Sequence, residues 1–293
     1  MTNYKNIAII GRRNSEHLVA QVTKLAEWLQ DFGCRAYLDS SVANDFYCPG
    51  YRCGKLSDWI DEIDLAIIIG GDGTMLSAGR KIVNHGIPLV GINQGRLGFM
   101  TDIAASEMLT VIKDMLVNHA YIKEERSLLQ AKILRDGQLV HDSLALNDIV
   151  ISRGDIGSMI EFEMSIGGEF VHAQKSDGVI FSTPTGSTAY SLAAGGPILH
   201  PRVAGILLVP IAPHSLSNRP IVLPEDSVTV IEVVDGREVI VNFDMQSQTN
   251  LQSGDKIEVR QSDKTIALLH PSNHSDYKTL REKLHWNEYP STF

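Results

Sequence analysis

The segment LAIIIGGDGTML (65–76) constrains the fold of this chain more than any other stretch. Leu65–Ile69 is apolar at every position, so neither face of a strand there could meet water. Such a strand belongs inside a parallel sheet that is covered on both sides. Gly70, Gly71, Asp72, Gly73 and Thr74 follow, and helical spacing then runs from about 74 to 84 before Gly86 closes it. A strand, a glycine-rich turn and a helix in that order put the turn at the carboxyl end of a parallel strand.

The same alternation surrounds this segment. IAIIG (7–11) precedes a stretch in which Leu18, Val22, Leu25, Leu29 and Phe32 recur at helical spacing before Gly33. CRAYL from Cys34 reads as a strand, LSDWIDEI as a short helix with Leu56, Ile60 and Ile63 inward, and PLVGIN as another buried strand. A helix over SEMLTVIKDMLVN, with Leu109, Ile112 and Leu116 on one side, completes an α/β, Rossmann-like domain over 1–122 with a parallel sheet. From Lys123 the period changes to two, and Asp136-Gly137, Gly167-Gly168 and Asp235-Gly236 carry hairpin signals. This predicts a mainly β C-terminal domain over 123–275, interrupted by a short helix at AYSLAA near Ala189. The tail, 276–293, has Tyr277, Leu280 and Leu284 at helical spacing and is expected to pack on the first domain.

Composition excludes several classes of function. A length of 293 residues supports a large core without metal or disulfide staples. The 35 acidic residues outweigh 26 Lys and Arg, for a net charge of −9 that opposes binding to nucleic acid or to an anionic membrane. The apolar run near the N-terminus is shorter than the roughly 7 to 15 residues of a signal-peptide core, and no later stretch reaches membrane-spanning length. The cytoplasm is the expected compartment. Cys34, Cys48 and Cys53 have no histidine at a zinc-site interval, so they are expected to be free thiols and no metal-ligand set is predicted.

The loops carry the chemistry. Gly71 and Gly73 let backbone approach a phosphate, and amides at the helix start, Thr74 included, can receive its oxygens. Asp72 would repel an anion unless it meets a hydroxyl or a cation. A carboxylate there can orient a hydroxyl and accept its proton during phosphoryl transfer, although the same residue type also serves as a loop or helix cap. There is no Walker lysine and no protein-kinase loop, and the glycine spacing is a poor dinucleotide fingerprint. GINQGRLGFM (91–100) follows the next buried strand and should share the rim with Asp72. Asn93, Gly95 and Gly98 would shape its loop, Arg96 could meet phosphate, and Phe99 could back an adenine or fill the core.

In ALNDIVIS, Asn147 and Asp148 could clamp ribose hydroxyls or cap a turn. KSDGVIFSTPTGSTAYSLAAGGP then gathers Lys175, Asp177, Thr185, Ser187, Thr188 and Tyr190, more hydroxyls than a hairpin needs. Asp177 and Thr188 are candidates for polar recognition and Tyr190 for contact with a planar ring. PHSLSNRP, with His214, Ser215, Asn218 and Arg219, forms another polar loop, and Asp244 and Gln246 in FDMQ come from a late strand.

Taken in order, GGDGTML, GINQGRLGFM, LNDIV, KSDGVIFSTPTGSTAYSLAAGGPI, PHSLSNRP and FDMQ resemble the NAD kinase family over nearly the whole chain. GGDGT alone also occurs in diacylglycerol and sphingosine kinases and in phosphofructokinase; the threonine-rich segment and GINQGRLGFM supply the specificity. The resemblance implies transfer of the γ-phosphoryl group of Mg²⁺-bound ATP to the 2′-hydroxyl of the adenosine ribose of NAD, giving NADP and ADP. It implies an active site in an interdomain cleft and a homodimer or homotetramer.

By carry-over, Asp72 would orient and deprotonate the hydroxyl, and Gly71 and Gly73 would admit phosphate. Asn147 and Asp148 would hold ribose, while Phe99, Asp177, Thr188, Ala189 and Tyr190 would enclose NAD. Thr74, Asn93, Lys175, Thr185 and Gln246 complete the candidate binding set. Three positions depart from the family pattern: Asp148 stands where glutamate is usual, Lys175 where arginine is common, and Met245 where many relatives have glycine. Two other readings stand beside this one: a lipid kinase sharing the glycine-aspartate loop, and a non-enzymatic NAD or NADP binding module.

Overall fold

The computed structural model describes residues 3–11, 16–43, 51–95, 97–154 and 159–286. They fall into two units, Met1–Glu125 with Ile266–Phe293, and Arg126–Thr265. These divisions lie at 125/126 and 265/266, whereas periodicity suggested 122/123 and 275/276. The change of period marks where one strand begins, and that strand runs on past the boundary between units.

The first unit contains β1 (Asn6–Gly11), α1 (Glu16–Asp31), β2 (Arg35–Asp39), α2 (Ser40–Ala43), β3 (Arg52–Gly54) and β4 (Leu65–Ile69). These are followed by α3 (Asp72–Ile82), β5 (Leu89–Asn93), β6 (Ile103–Ala104) and α4 (Met108–Val117). All the pairings are parallel, with Ile7 opposite Ala36 on one side and Leu65 on the other, and Ala66 opposite Leu89. Every residue of β4 is buried, which accounts for its unbroken apolar run. Ile7, Ile9, Ile67 and Ile69 share a core with Leu25, Leu29, Ile112 and Met115. Each such side chain contributes about 1.5–3 kcal/mol by leaving water.

Segment 56–63 departs from the single helix its spacing predicts. It forms two 3₁₀ turns, Leu56–Asp58 and Ile60–Glu62, broken at Trp59. The Trp59 indole takes the buried place against Tyr37, with ring centroids 5.3 Å apart, and leaves Ile60 only half-buried. α3 begins at Asp72, two residues before the expected start, because Gly71 is already extended enough to cap it. Gly86 closes the 3₁₀ turn after α3 at φ 64°, a left-handed position suited to glycine.

β7 (Tyr121–Arg135) leads into the second unit, which holds β8 (Gln138–Ala145), β9 (Asp148–Arg153), β10 (Ile160–Ile166), β11 (Glu169–Ser176) and β12 (Gly178–Ser182). A 3₁₀ turn (Thr185–Thr188) and α5 (Tyr190–Ala193) come next. Then follow β13 (Gly205–Ile211), β14 (Ile221–Pro224), β15 (Thr229–Asp235), β16 (Val239–Phe243) and β17 (Ser247–Asn250). One antiparallel sheet has the order β14-β13-β12-β9-β16-β17. Its inner face packs Ile149, Val179, Phe181 and Phe243 with Phe162, Met164, Ile231 and Val259, while Val150, Ile180, Leu207 and Val209 cluster together in a separate core. β12 is thus buried on both faces.

Asp136-Gly137 and Gly167-Gly168 close hairpins with Arg135 opposite Gln138 and Ile166 opposite Glu169, all four turn residues having positive φ. Asp235-Gly236 does not. β15 pairs with β10, whereas β16 pairs with β9 and β17, so this turn hands the chain from one sheet to the other.

β18 (Lys256–Pro271) pairs with β15 through Lys256 to Val259 and returns to the first unit, where Leu268 lies opposite Leu89. α6 (Asp276–Leu284) follows, capped by the Ser275 hydroxyl. The tail helix therefore exists, but Tyr277 is exposed and Thr279 is its buried residue. Cys34 is a buried free thiol and Cys53 an exposed one; Cys48 lies outside the described residues. Among the described residues no helix is long and apolar enough to cross a membrane.

Candidate active site

In the first unit, Gly70 and Gly71 carry the chain from β4 into α3, and Asp72 is the first helical residue. The Asp72 carboxylate turns toward the loop after β5. Its Oδ2 accepts the Phe99 amide at 2.8 Å, and its Oδ1 accepts the Met100 amide and the Thr101 hydroxyl, both at 3.1 Å. Thr101 in turn accepts a hydrogen bond from Asn93 Nδ2 at 3.1 Å, and Asn93 Oδ1 receives the Gly95 amide at 2.6 Å. Gly98 is required by this packing, since a Cβ there would collide with both the Asp72 carboxylate and the Thr101 hydroxyl.

These bonds correct the simpler picture of Asp72 as a residue aimed only at a ligand. It holds its own loop in place. A carboxylate offers about four acceptor positions, so three donors leave room for one more, on Oδ2. Gly71 and Gly73 are exposed around the helix start and Thr74 is half-buried, with the Thr74 amide bonded to the Gly71 carbonyl. Phe99 is half-buried, and Lys283 of α6 stands 6.0 Å from its ring centroid. Arg96 lies outside the described residues.

The second unit gathers a different pair of carboxylates. Asp244 is buried and receives the amides of Leu146 at 3.1 Å, Asn147 at 2.7 Å and Asp148 at 3.2 Å. Asp148, only 2% exposed, lies beside it, and its Oδ1 finds no hydrogen-bond donor among the described residues. Burial, reinforced by the charge of Asp244, raises the Asp148 carboxyl to about 7. The side-chain oxygen of Asn147 is likewise buried without a donor. Gly186 packs directly on the Asn147 backbone, where any Cβ would clash, and its amide is held by the Thr183 hydroxyl at 3.0 Å. The threonine-rich segment is thereby docked on the Asn147-Asp148 corner.

Thr185 is buried in the 3₁₀ turn, Thr188 and Ala189 are half-buried, and Tyr190 opens α5 with 38% of its surface exposed. Asp177 pairs with Arg153, through Nε at 3.1 Å and Nη2 at 3.1 Å, a partner that motif reading did not supply. Lys175 pairs with Glu161 at 2.9 Å across the β10–β11 hairpin. Gln246 is exposed in the three-residue turn between β16 and β17. Met245, at the same turn, holds φ 52°, which explains why glycine suits that place and what a side chain costs there. The PHSLSNRP loop borders a cavity of about 690 Å³ with Lys175, and Asn218 bonds to Gln174.

An α/β unit with a glycine-aspartate turn at the end of a parallel strand, and a β unit with unsatisfied buried acceptors beside a hydroxyl-rich turn, define a nucleotide-binding class of protein. The comparisons narrow that class. Residues 7–121 match the ATP-NAD kinase N-terminal domain and residues 146–270 the ATP-NAD kinase C-terminal domain. An NAD kinase of Burkholderia orbicola is 49% identical over 98% of this chain and 96% of its own length, and one of Paraburkholderia phytofirmans is 48% identical over 99% and 96%. Among solved structures, yeast NADH kinase complexed with NADH superposes with a TM-score of 0.87 at 29% identity, covering 99% of this chain and 90% of that one. An Archaeoglobus fulgidus NAD kinase in complex with ATP shares the fold, with a TM-score of 0.74 at 23% identity over 96% and 98%. The chain belongs to the ATP-NAD kinase family.

Proposed function

We propose that this protein transfers the γ-phosphoryl group of ATP to the 2′-hydroxyl of the adenosine ribose of NAD, yielding NADP and ADP. Family membership over both parts of the chain supports the reaction. The observation that carries the assignment of Asp72 is its carboxylate, fixed by three donors at the start of α3 with acceptor capacity left on Oδ2. A hydroxyl donating to that oxygen is oriented before any phosphate arrives, and orientation is a large part of what phosphoryl transfer needs. A carboxylate is a far weaker base than an alkoxide, so proton acceptance accompanies transfer and does not precede it.

Gly71 and Gly73, both exposed, let backbone at the helix start come close to phosphate oxygens. Magnesium enters with the triphosphate as part of the substrate. In the second unit, the unsatisfied oxygens of Asn147 and Asp148 are suited to ribose hydroxyls, and the Tyr190 ring to a planar base. Thr185, Thr188 and Asp177 contribute polar groups and Ala189 a small apolar surface, Asp177 with its charge already balanced by Arg153. Lys175, paired with Glu161, and the exposed Gln246 complete the proposed set. A homodimer or homotetramer in the cytoplasm accords with the family resemblance. A lipid acceptor and a binding-only role have no support in the family matches.

The deciding experiment incubates purified protein with Mg-ATP and NAD and analyses the product. Formation of the 2′-phosphorylated dinucleotide is expected; phosphorylation of diacylglycerol or sphingosine with none of NAD or NADH would replace this reading with a lipid kinase.

A further inference from the structure

We propose that Asp102, His270 and His274 form a clamp that positions the Asp72 loop, acting through the backbone of residues 98–101 without touching the reacting groups. The proposal rests on the reading of Asp72 as the group that receives the acceptor hydroxyl.

The loop that donates to Asp72 ends at Thr101, and the next residue is Asp102. Its Oδ2 accepts from two imidazoles at once, His270 Nδ1 at 2.9 Å and His274 Nδ1 at 2.7 Å. The hydrogen-bond network assigns a proton to Nδ1 of both rings, because a carboxylate oxygen can only accept. The rings stack with centroids 4.0 Å apart and planes inclined by 24°. The three side chains are only 8%, 1% and 4% exposed. His270 is the penultimate residue of β18 and His274 lies just before α6, the helix that also brings Lys283 over Phe99. Asp72 thus holds residues 99–101, and this cluster holds the residue that follows them.

Two histidines and a carboxylate can also ligate a metal ion, and distance separates the two cases. Metal–ligand bonds of about 2.0–2.1 Å put neighbouring tetrahedral ligands about 3.3 Å apart. Separations of 2.7 and 2.9 Å are those of charge-assisted hydrogen bonds. Protons on the two Nδ1 atoms are sufficient to account for the geometry.

The charges around His274 come from four elements: Asp102 on the loop, Asp276 with an oxygen 3.5 Å from Nε2, Glu124 on β7, and His270 on β18. Burial alone would lower the His274 pKa, but the bonds and charges of Asp102 and Asp276 raise it to about 9. Burial alone would raise Asp102, but the bonds and charges of the two histidines bring it to about 2. A raised base gives its full contribution below its ordinary value of about 6.5 and loses it as pH rises through 9. A lowered acid contributes above about 3.9 and loses it as pH falls through 2. The clamp is therefore charge-assisted at neutral pH and is weakened on the alkaline side, where a neutral His274 can still donate through Nδ1 but without its charge.

The test uses the full-length protein with Mg-ATP and NAD between pH 6.5 and 10, and compares His274→Leu with His274→Asn, whose amide nitrogen can replace Nδ1 as a donor without titrating. H274L should lower kcat about 10-fold with KM changed less than about 3-fold, as expected for a displaced catalytic loop. H274N should recover most of kcat and lose the alkaline limb near pH 9 that the parent shows. In an Asp72→Asn background the H274L effect should shrink below about 2-fold. An undiminished H274L effect in that background would mean a merely structural role and overturn the clamp, as would a parent-like kcat and alkaline limb in H274L. Near-normal turnover of D72N alone would instead overturn the reading of Asp72. Should H274L fail to fold, nitrogen-15 NMR of the parent decides, since an unprotonated Nδ1 on either ring at pH 7.5 contradicts the clamp. One tightly held equivalent of a transition metal, lost in H274N, does so too.

Discussion

Asp72 opens the helix after a buried strand of one unit and Asp148 opens a buried strand of the other, and their surroundings differ in kind. Asp72 is met by two amides and a hydroxyl from its own unit, so its position is set by the protein. Asp148 is buried beside Asp244, which takes the local amides for itself and leaves one Asp148 oxygen without a donor. A carboxylate already satisfied is pre-organised for chemistry, whereas one left unsatisfied gains most from a ligand that supplies the missing donor.

The largest expected effect is that of Asp72→Asn. Turnover should fall by roughly 100-fold or more, while calorimetry still detects NAD binding; turnover close to the parent's would erase the contrast between the two aspartates. Gly98→Ala presses a methyl group against the Asp72 carboxylate and should lower kcat by about 10-fold or more. Circular dichroism should show the fold unchanged, and an intact kcat would mean that the loop tolerates displacement. On the other side of the comparison, Tyr190→Ala should weaken NAD binding by about 5-fold and leave ATP affinity as it was, again by calorimetry. An unchanged NAD dissociation constant would remove the ring contact from the proposal.

The smallest effect concerns Asp148 itself. With its carboxyl raised to about 7 by burial and by Asp244, it gains its charge only as pH rises through neutrality. The KM for NAD should therefore fall by about 3-fold between pH 6 and 8, and Asp148→Asn should flatten that profile. Thermal melts sharpen the same point. A raised acid favours the folded state fully below its ordinary value of about 3.9 and loses that advantage up to 7, so the stability difference between parent and D148N should shift in favour of D148N across this range.

Much of the fold could be read along the chain. Leu65–Ile69 had to be interior because it has no polar face, and Asp136-Gly137 and Gly167-Gly168 had to turn because few other pairs accept positive φ at both positions. Asp235-Gly236 carries the same local signal yet joins strands of different sheets, since pairing partners are chosen across the whole unit. Trp59 displaced Ile60 from an inward place for a similar reason: its ring found Tyr37. The site divided in the same way. Asp72 could be singled out from its glycines, but Thr101 as its partner could not, nor could Arg153 beside Asp177. The two histidines on Asp102 lie 168 and 172 residues away from it, and no spacing rule spans such distances.

What the sequence by itself determined is therefore what short-range forces govern: the strand, turn and helix around Gly70 to Gly73, the period change near Lys123, and the residue types able to meet phosphate and ribose. Tertiary structure alone decided which polar groups are satisfied. Asp244 reaches its amides across 96 to 98 residues, and in doing so it leaves Asp148 short of a donor. Hydrogen bonding is a matter of a few ångströms in space, and only the folded chain sets those distances.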